Sequence, residues 1–124
     1  MDKYPVHSLI IKKDETAFKN IDEIIEHLKS LIVENPVATF ITVFDHFSHT
    51  TSLKEGVINE EIKDAKNLIF CFGKQIPNPK ILAVRPRSIG ITELEDSFSI
   101  DTLEAPNPQL QETLVGWIYS IKKS

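Results

Sequence analysis

An α+β fold in two layers, with the element order β-α-β4-α, is predicted by three features of the sequence. Two segments repeat apolar residues at helical spacing, one over Ile21–Glu34 and one after Asn107. Five segments are short and rich in β-branched or aromatic residues. Four of those strands follow one another between the two helices, so they can pair antiparallel, and both helices can cover one face of a single curved, mainly antiparallel sheet.

Taken in order, Val6–Lys12 reads as a strand because Leu9, Ile10 and Ile11 lie between Pro5 and a charged cluster. Ile21, Ile24, Ile25, Leu28, Leu31 and Ile32 then form a stripe about 120° wide, the width of a helix face that packs on a core. Asn20 can cap that helix, Glu23 completes a box-like pattern, and Asn35-Pro36 ends it. Residues 37–44 are apolar on both faces, which predicts a central strand. Residues 47–66 are hydrophilic, with a short helix predicted at 59–64. Residues 68–72 form a second buried strand, stopped by Gly73 and by Pro77 and Pro79.

Two further strands, 88–94 and 97–103, are close enough for a hairpin turning at Glu95-Asp96, and Phe98, Ile100 and Thr102 alternate with polar residues. The last helix has Asn107 as cap and Pro108 at its first position. Leu110, Leu114, Trp117, Ile118 and Ile121 then form its apolar stripe.

Residues 1–124 are expected to form one domain, since single cores commonly form at roughly 100 to 150 residues. The composition is 41% hydrophobic and 26% charged, near the globular average. Fourteen basic against eighteen acidic side chains give a net charge of −4, which disfavours nucleic acid as a partner. No apolar run reaches the roughly 20 residues of a membrane span, and no secretory pattern opens the chain. A single cysteine, Cys71, leaves no internal disulfide, so a cytoplasmic location is expected.

With that order in place, the helix at Ile21–Glu34, the strand running into Asp45-His46, the spacer to Asn67 and the "FCFG" stretch ending at Gly73 resemble the domain of unknown function 302 family. The similarity spans about residues 6 to 122 in element order. The sequence departs from that pattern at Lys74-Gln75, where the family has Asn-Pro, and at residues 47–51, where it has a small-residue helix. The resemblance implies the same sheet-and-helix layers, often paired as homodimers, and supplies no reaction.

Asp45, His46 and His49 are the leading candidate site. Histidine titrates near neutral pH, and a neighbouring carboxylate can fix its tautomer. Adjacent residues on a strand point to opposite faces, so Asp45 orients His46 only if the strand ends there; otherwise Asp45 caps a turn and His46, on the face of Phe40 and Phe44, closes the core rim. Arg85-Pro86-Arg87 could grip a carboxylate or phosphate with two guanidinium forks, or form a solvated rim paired with Glu93, Glu95 or Asp96. Trp117 could floor a pocket or belong to the core.

A metal site is not expected, because His46, His49, Cys71 and Asp45 have no ligand spacing typical of zinc. Cys71, between Phe70 and Phe72, is expected to be core. No cofactor is implied. The leading expectation is a homodimeric module that binds a small ligand or regulatory metabolite through His46, His49, Arg85, Arg87 and Trp117. Two alternatives remain: an enzyme with His46 as general acid or base and Arg85 or Arg87 holding an anionic substrate, and a purely structural or partner-binding dimer.

Overall fold

A computed structural model describes residues 5–123. The strands are β1 (Val6–Lys12), β2 (Ala38–Phe44), β3 (Asp64–Phe72), β4 (Arg87–Glu93) and β5 (Ser97–Leu103), and the α-helices are α1 (Ile21–Glu34), α2 (His46–Ser52) and α3 (Pro108–Tyr119). The described strands form one sheet in the order β1-β5-β4-β3-β2, antiparallel at every pairing. The architecture is thus α+β, with β2 to β5 as a meander and α1 carrying the chain from one edge strand, β1, to the other, β2.

Helix α1 forms where its apolar stripe dictates. Ile21, Ile24, Ile25, Leu28 and Ile32 are buried, while Asn20 accepts the Glu23 N–H at 2.9 Å and Glu23 in turn accepts the Lys19 N–H at 2.7 Å. Helix α3 begins at Pro108 with Asn107 accepting the N–H groups of Gln109 and Leu110, and it buries Leu114, Trp117 and Ile118. Both faces meet the same side of the sheet, where Ile11, Leu68, Phe70, Phe72, Ile89, Ile91, Phe98 and Ile100 complete the core. Thr16 fastens the end of the chain by donating to the Ile121 carbonyl at 2.7 Å.

Several expectations need correction. Residues 37–44 do not supply a central strand: β2 is an edge, because a meander entered from a helical crossover must start or finish at a margin of the sheet. Its outward residues are uncovered, Ile41 at 48% and Phe44 at 40% exposure. The pairing register shifts between Phe40 and Thr42, a bulge that leaves Phe40 opposite Phe70 on the core face but sets Phe44 opposite Asn67 on the other face. Phe40 and Phe44 therefore do not share a side. Residues 59–64 form no helix; the helix of that stretch is α2, immediately after β2, and β3 already begins at Asp64. Cys71 is not core: with Phe70 and Phe72 pointing inward, strand pleating turns its thiol to the open face, where it is partly exposed.

The face away from α1 and α3 carries Ser8 and Ile10 from β1, Ser99 and Asp101 from β5, Ser88 and Gly90 from β4, and Asn67, Ile69 and Cys71 from β3. This mixed, largely uncovered surface is where concave space forms.

Candidate functional site

The strand does end at Phe44. Asp45 is the N-cap of α2, its carboxylate accepting the Ser48 N–H at 3.0 Å. That bond, with smaller help from Lys66, holds the Asp45 carboxyl below the usual carboxylate range. A folded-state pKa below the unfolded one means that the capping contribution is present at neutral pH and is lost as pH falls through the folded value. The expected outcome is an acid-side titration of the Ser48 amide shift that vanishes in Asp45→Asn, which keeps an acceptor but no ionisable group. Persistence of that titration in the variant would show that another group drives it.

With Asp45 committed to the helix, Asn67 holds the His46 ring: the Asn67 Oδ1 lies 2.9 Å from His46 Nδ1 and its Nδ2 donates to Ser88 Oγ at 2.9 Å. An amide oxygen only accepts, so this contact calls for the proton on Nδ1 and leaves Nε2 facing away from Asn67. The ring is exposed and packs on Phe44, with centroids 5.2 Å apart, and His49 packs on the same phenyl ring at 5.3 Å. The two histidines are thus brought together at the β2–α2 corner, but no group of three or more metal-ligating side chains occurs among the described residues.

Past Asn67 the open face sinks into a groove of about 670 Å³. Asn67, Ser88, Gly90 and Asp101 lie on its floor, and Val6, Leu103, Val84 and Pro86 contribute apolar wall. Asp101 is itself tied in place, accepting from the hydroxyls of Ser8 and Ser99. Gly90 supplies depth: a Cβ there would meet only ordinary contacts, 3.5 Å to the Asp101 carbonyl and 3.8 Å to Asn67 Nδ2, so the space above it is open.

Arg85 and Arg87 flank a second cleft, of about 330 Å³, between the start of α3, the α1–β2 turn and the β3–β4 connection, and Arg87 also lines the groove. Arg85 donates to the Gln75 carbonyl at 2.8 Å and crosses Gly73, while Arg87 donates to the Leu103 carbonyl. Neither pairs with Glu93, which is bound by Lys13 at 2.7 Å. No hydrogen bond and no cavity wall joins either arginine to His46, although Arg87 and Asn67 line the same groove. Trp117 lies one layer beneath the cleft, its indole stacked on Phe72 with centroids 5.3 Å apart.

Asn67, Ser88, Gly90 and Asp101 escaped the sequence reading. The alternation that sets Asp101 on a polar face was visible in 97–103, but Asn67 was hidden because 68–72 read as buried on both sides, and which residues of neighbouring strands meet on that face depends on sheet order.

The sequence model of a family described as "Family of unknown function (DUF6858)" matches residues 1–123. That match overturns the resemblance to the domain of unknown function 302 family. The shared fragments are turn signals with local causes: Asp45 serves as a helix cap, and Gly73 sits at φ 112°, a conformation that favours glycine in any sheet protein. No curated protein and no solved structure gives a significant match. Among the described residues, no helix is long and apolar enough to cross a membrane.

Proposed function

The chain belongs to the family of unknown function DUF6858, and on that footing we propose that it is a small-ligand-binding module, cytoplasmic and homodimeric, with its ligand site in the open-face groove. The observation that carries this reading is the combination in one concavity of apolar walls with polar floor groups that are already oriented. Asn67 is fixed between His46 and Ser88, and Asp101 between two serines. Small-molecule sites typically occupy about 300–1,000 Å³ and pair mostly apolar lining with a few placed polar groups, and this groove fits both criteria. The His46–Asn67 bond ties the floor of the site to the imidazole at the β2–α2 corner. A ligand of mixed character, with an apolar body and hydrogen-bonding edge, suits such a lining.

The homodimer is supported by β2, whose segment "ATFITVF" contains no charge and no proline to guard its free edge. Antiparallel pairing of two such edges about a two-fold axis sets no like charges together and would cover part of Ile41, Val43 and Phe44. This also supports the second reading, a dimer whose role is assembly alone.

Native mass spectrometry of gently purified protein, beside the Gly90→Val variant, tests both. The expected spectrum is a dimer mass with a small-molecule adduct captured from a metabolite extract, the adduct being lost in Gly90→Val while folding is kept. Valine suits a strand, and its side chain would fill the floor of the groove. A dimer that captures nothing supports the assembly role, and a monomer rejects the paired edge.

A further inference from the structure

The cleft at the start of α3 is electrostatically one-sided. Among the described residues its lining holds two arginines and no aspartate or glutamate, on a chain whose net charge is −4. Among the described residues neither arginine forms an ion pair. Each guanidinium has five N–H groups; the hydrogen bonds found are one from Arg85 to the Gln75 carbonyl and one from Arg87 to the Leu103 carbonyl. The Arg87 Nε is buried and has no partner among the described residues, and burial pulls that guanidinium below its usual, very high pKa. A half-buried guanidinium with one hydrogen bond, a buried Nε–H left over and no counter-ion gains from an anion that completes it. The start of α3 adds its dipole but no free donor, because Asn107 already satisfies the Gln109 and Leu110 N–H groups.

We propose that this cleft binds an oxyanion, a carboxylate or phosphate group gripped between Arg85 and Arg87, with the apolar remainder of its bearer against Val37, Phe72 and Leu110. The site goes beyond the groove proposed above. It adjoins that groove through Arg87 and Val84 but does not require it. In the groove Arg87 is offset by Asp101 and Glu104, whereas the described lining of the cleft sets two arginines against no carboxylate. Planar guanidinium forks match the paired oxygens of either group, and the two sources differ in charge and shape rather than in how they are held.

The test is a titration of the ¹⁵N-labelled full chain at constant ionic strength, read at the arginine Nε–Hε signals and the Gly73 amide. The probes are inorganic phosphate, benzoate and choline chloride. Saturable shifts with phosphate or benzoate and none with choline chloride are expected, the stronger of the two oxyanions identifying the source. Arg87→Gln should weaken binding about tenfold or more, the size of a lost charge-assisted hydrogen bond. Should that variant fold poorly, Gln109→Glu serves instead. It places a carboxylate on an exposed first-turn position that favours acids, and it should weaken binding while leaving the fold intact. Absence of a saturable shift with either oxyanion, or an unaltered affinity in Gln109→Glu and Arg87→Gln, would each overturn the assignment.

Discussion

Replacing Phe70 with alanine is expected to lower stability by about 3–5 kcal/mol, measured by urea unfolding with an unchanged slope. Phe70 is fully buried on β3 and meets the rings of Phe72 and Trp117 edge-on, with centroids at 5.9 and 6.2 Å. It therefore joins the sheet to α3, and its loss removes both transfer free energy and ring contacts from one place. Domains of this size are stable by only about 5–15 kcal/mol, so the variant should sit near the edge of folding. Phe44→Ala is the matching control. Its ring is 40% exposed on the opposite face and touches only the two histidines among aromatic partners, so a loss under about 1 kcal/mol is expected. Comparable losses from the two variants would show that the core does not lie on the helix side.

Gly73→Ala is expected to cost about 1–2 kcal/mol and to displace Arg85. The backbone at Gly73 has φ 112°, where an L side chain is strained. An added Cβ would also come within 2.6 Å of Arg85 Nη2 and 2.9 Å of its Cζ. The guanidinium is the far end of a flexible chain and can move away, so most of the stability loss should come from the backbone. The consequence for the cleft is larger, because moving Arg85 breaks its bond to the Gln75 carbonyl and removes one side of the oxyanion grip. A double-mutant cycle with Arg85→Ala separates the two effects. The stability cost of Gly73→Ala should change by less than about 0.5 kcal/mol when Arg85 is absent, while the oxyanion response should already be lost. A stability cost that disappears with Arg85 would place the strain in the clash instead.

The positions of α1 and α3 were legible because their causes are local, whereas α2 was missed and the helix expected at 59–64 does not form. Asn20, Asn107 and Pro108 mark the starts of α1 and α3, and the stripes of isoleucine and leucine fix their buried faces. The fold class followed from the order of the elements alone. Residues that depend on lateral neighbours were not legible. Ile41, Val43 and Phe44 look like a strand buried on both sides, and only the sheet order shows that nothing lies beyond them. The bulge at Ile41 likewise has no local signature, yet it decides that Phe44 faces Asn67 and the histidines.

The candidate residues divide the same way. Asp45 as a cap could be read from its place after a strand, whereas Asn67 as the partner of His46 could not, being 21 positions away and contributed by another strand. Arg85 and Arg87 were visible as a pair, but the acid-free cleft around them is assembled from the α1–β2 turn, β3 and the start of α3.

The most direct test of the open-face ligand site is a backbone amide shift map of the uniformly labelled protein with its captured ligand. Shifts centred on Asn67, Ser88, Gly90 and Asp101, reaching the His46 ring through Asn67, are the expected result. Shifts confined to α1 and α3 with those floor residues unmoved would contradict it.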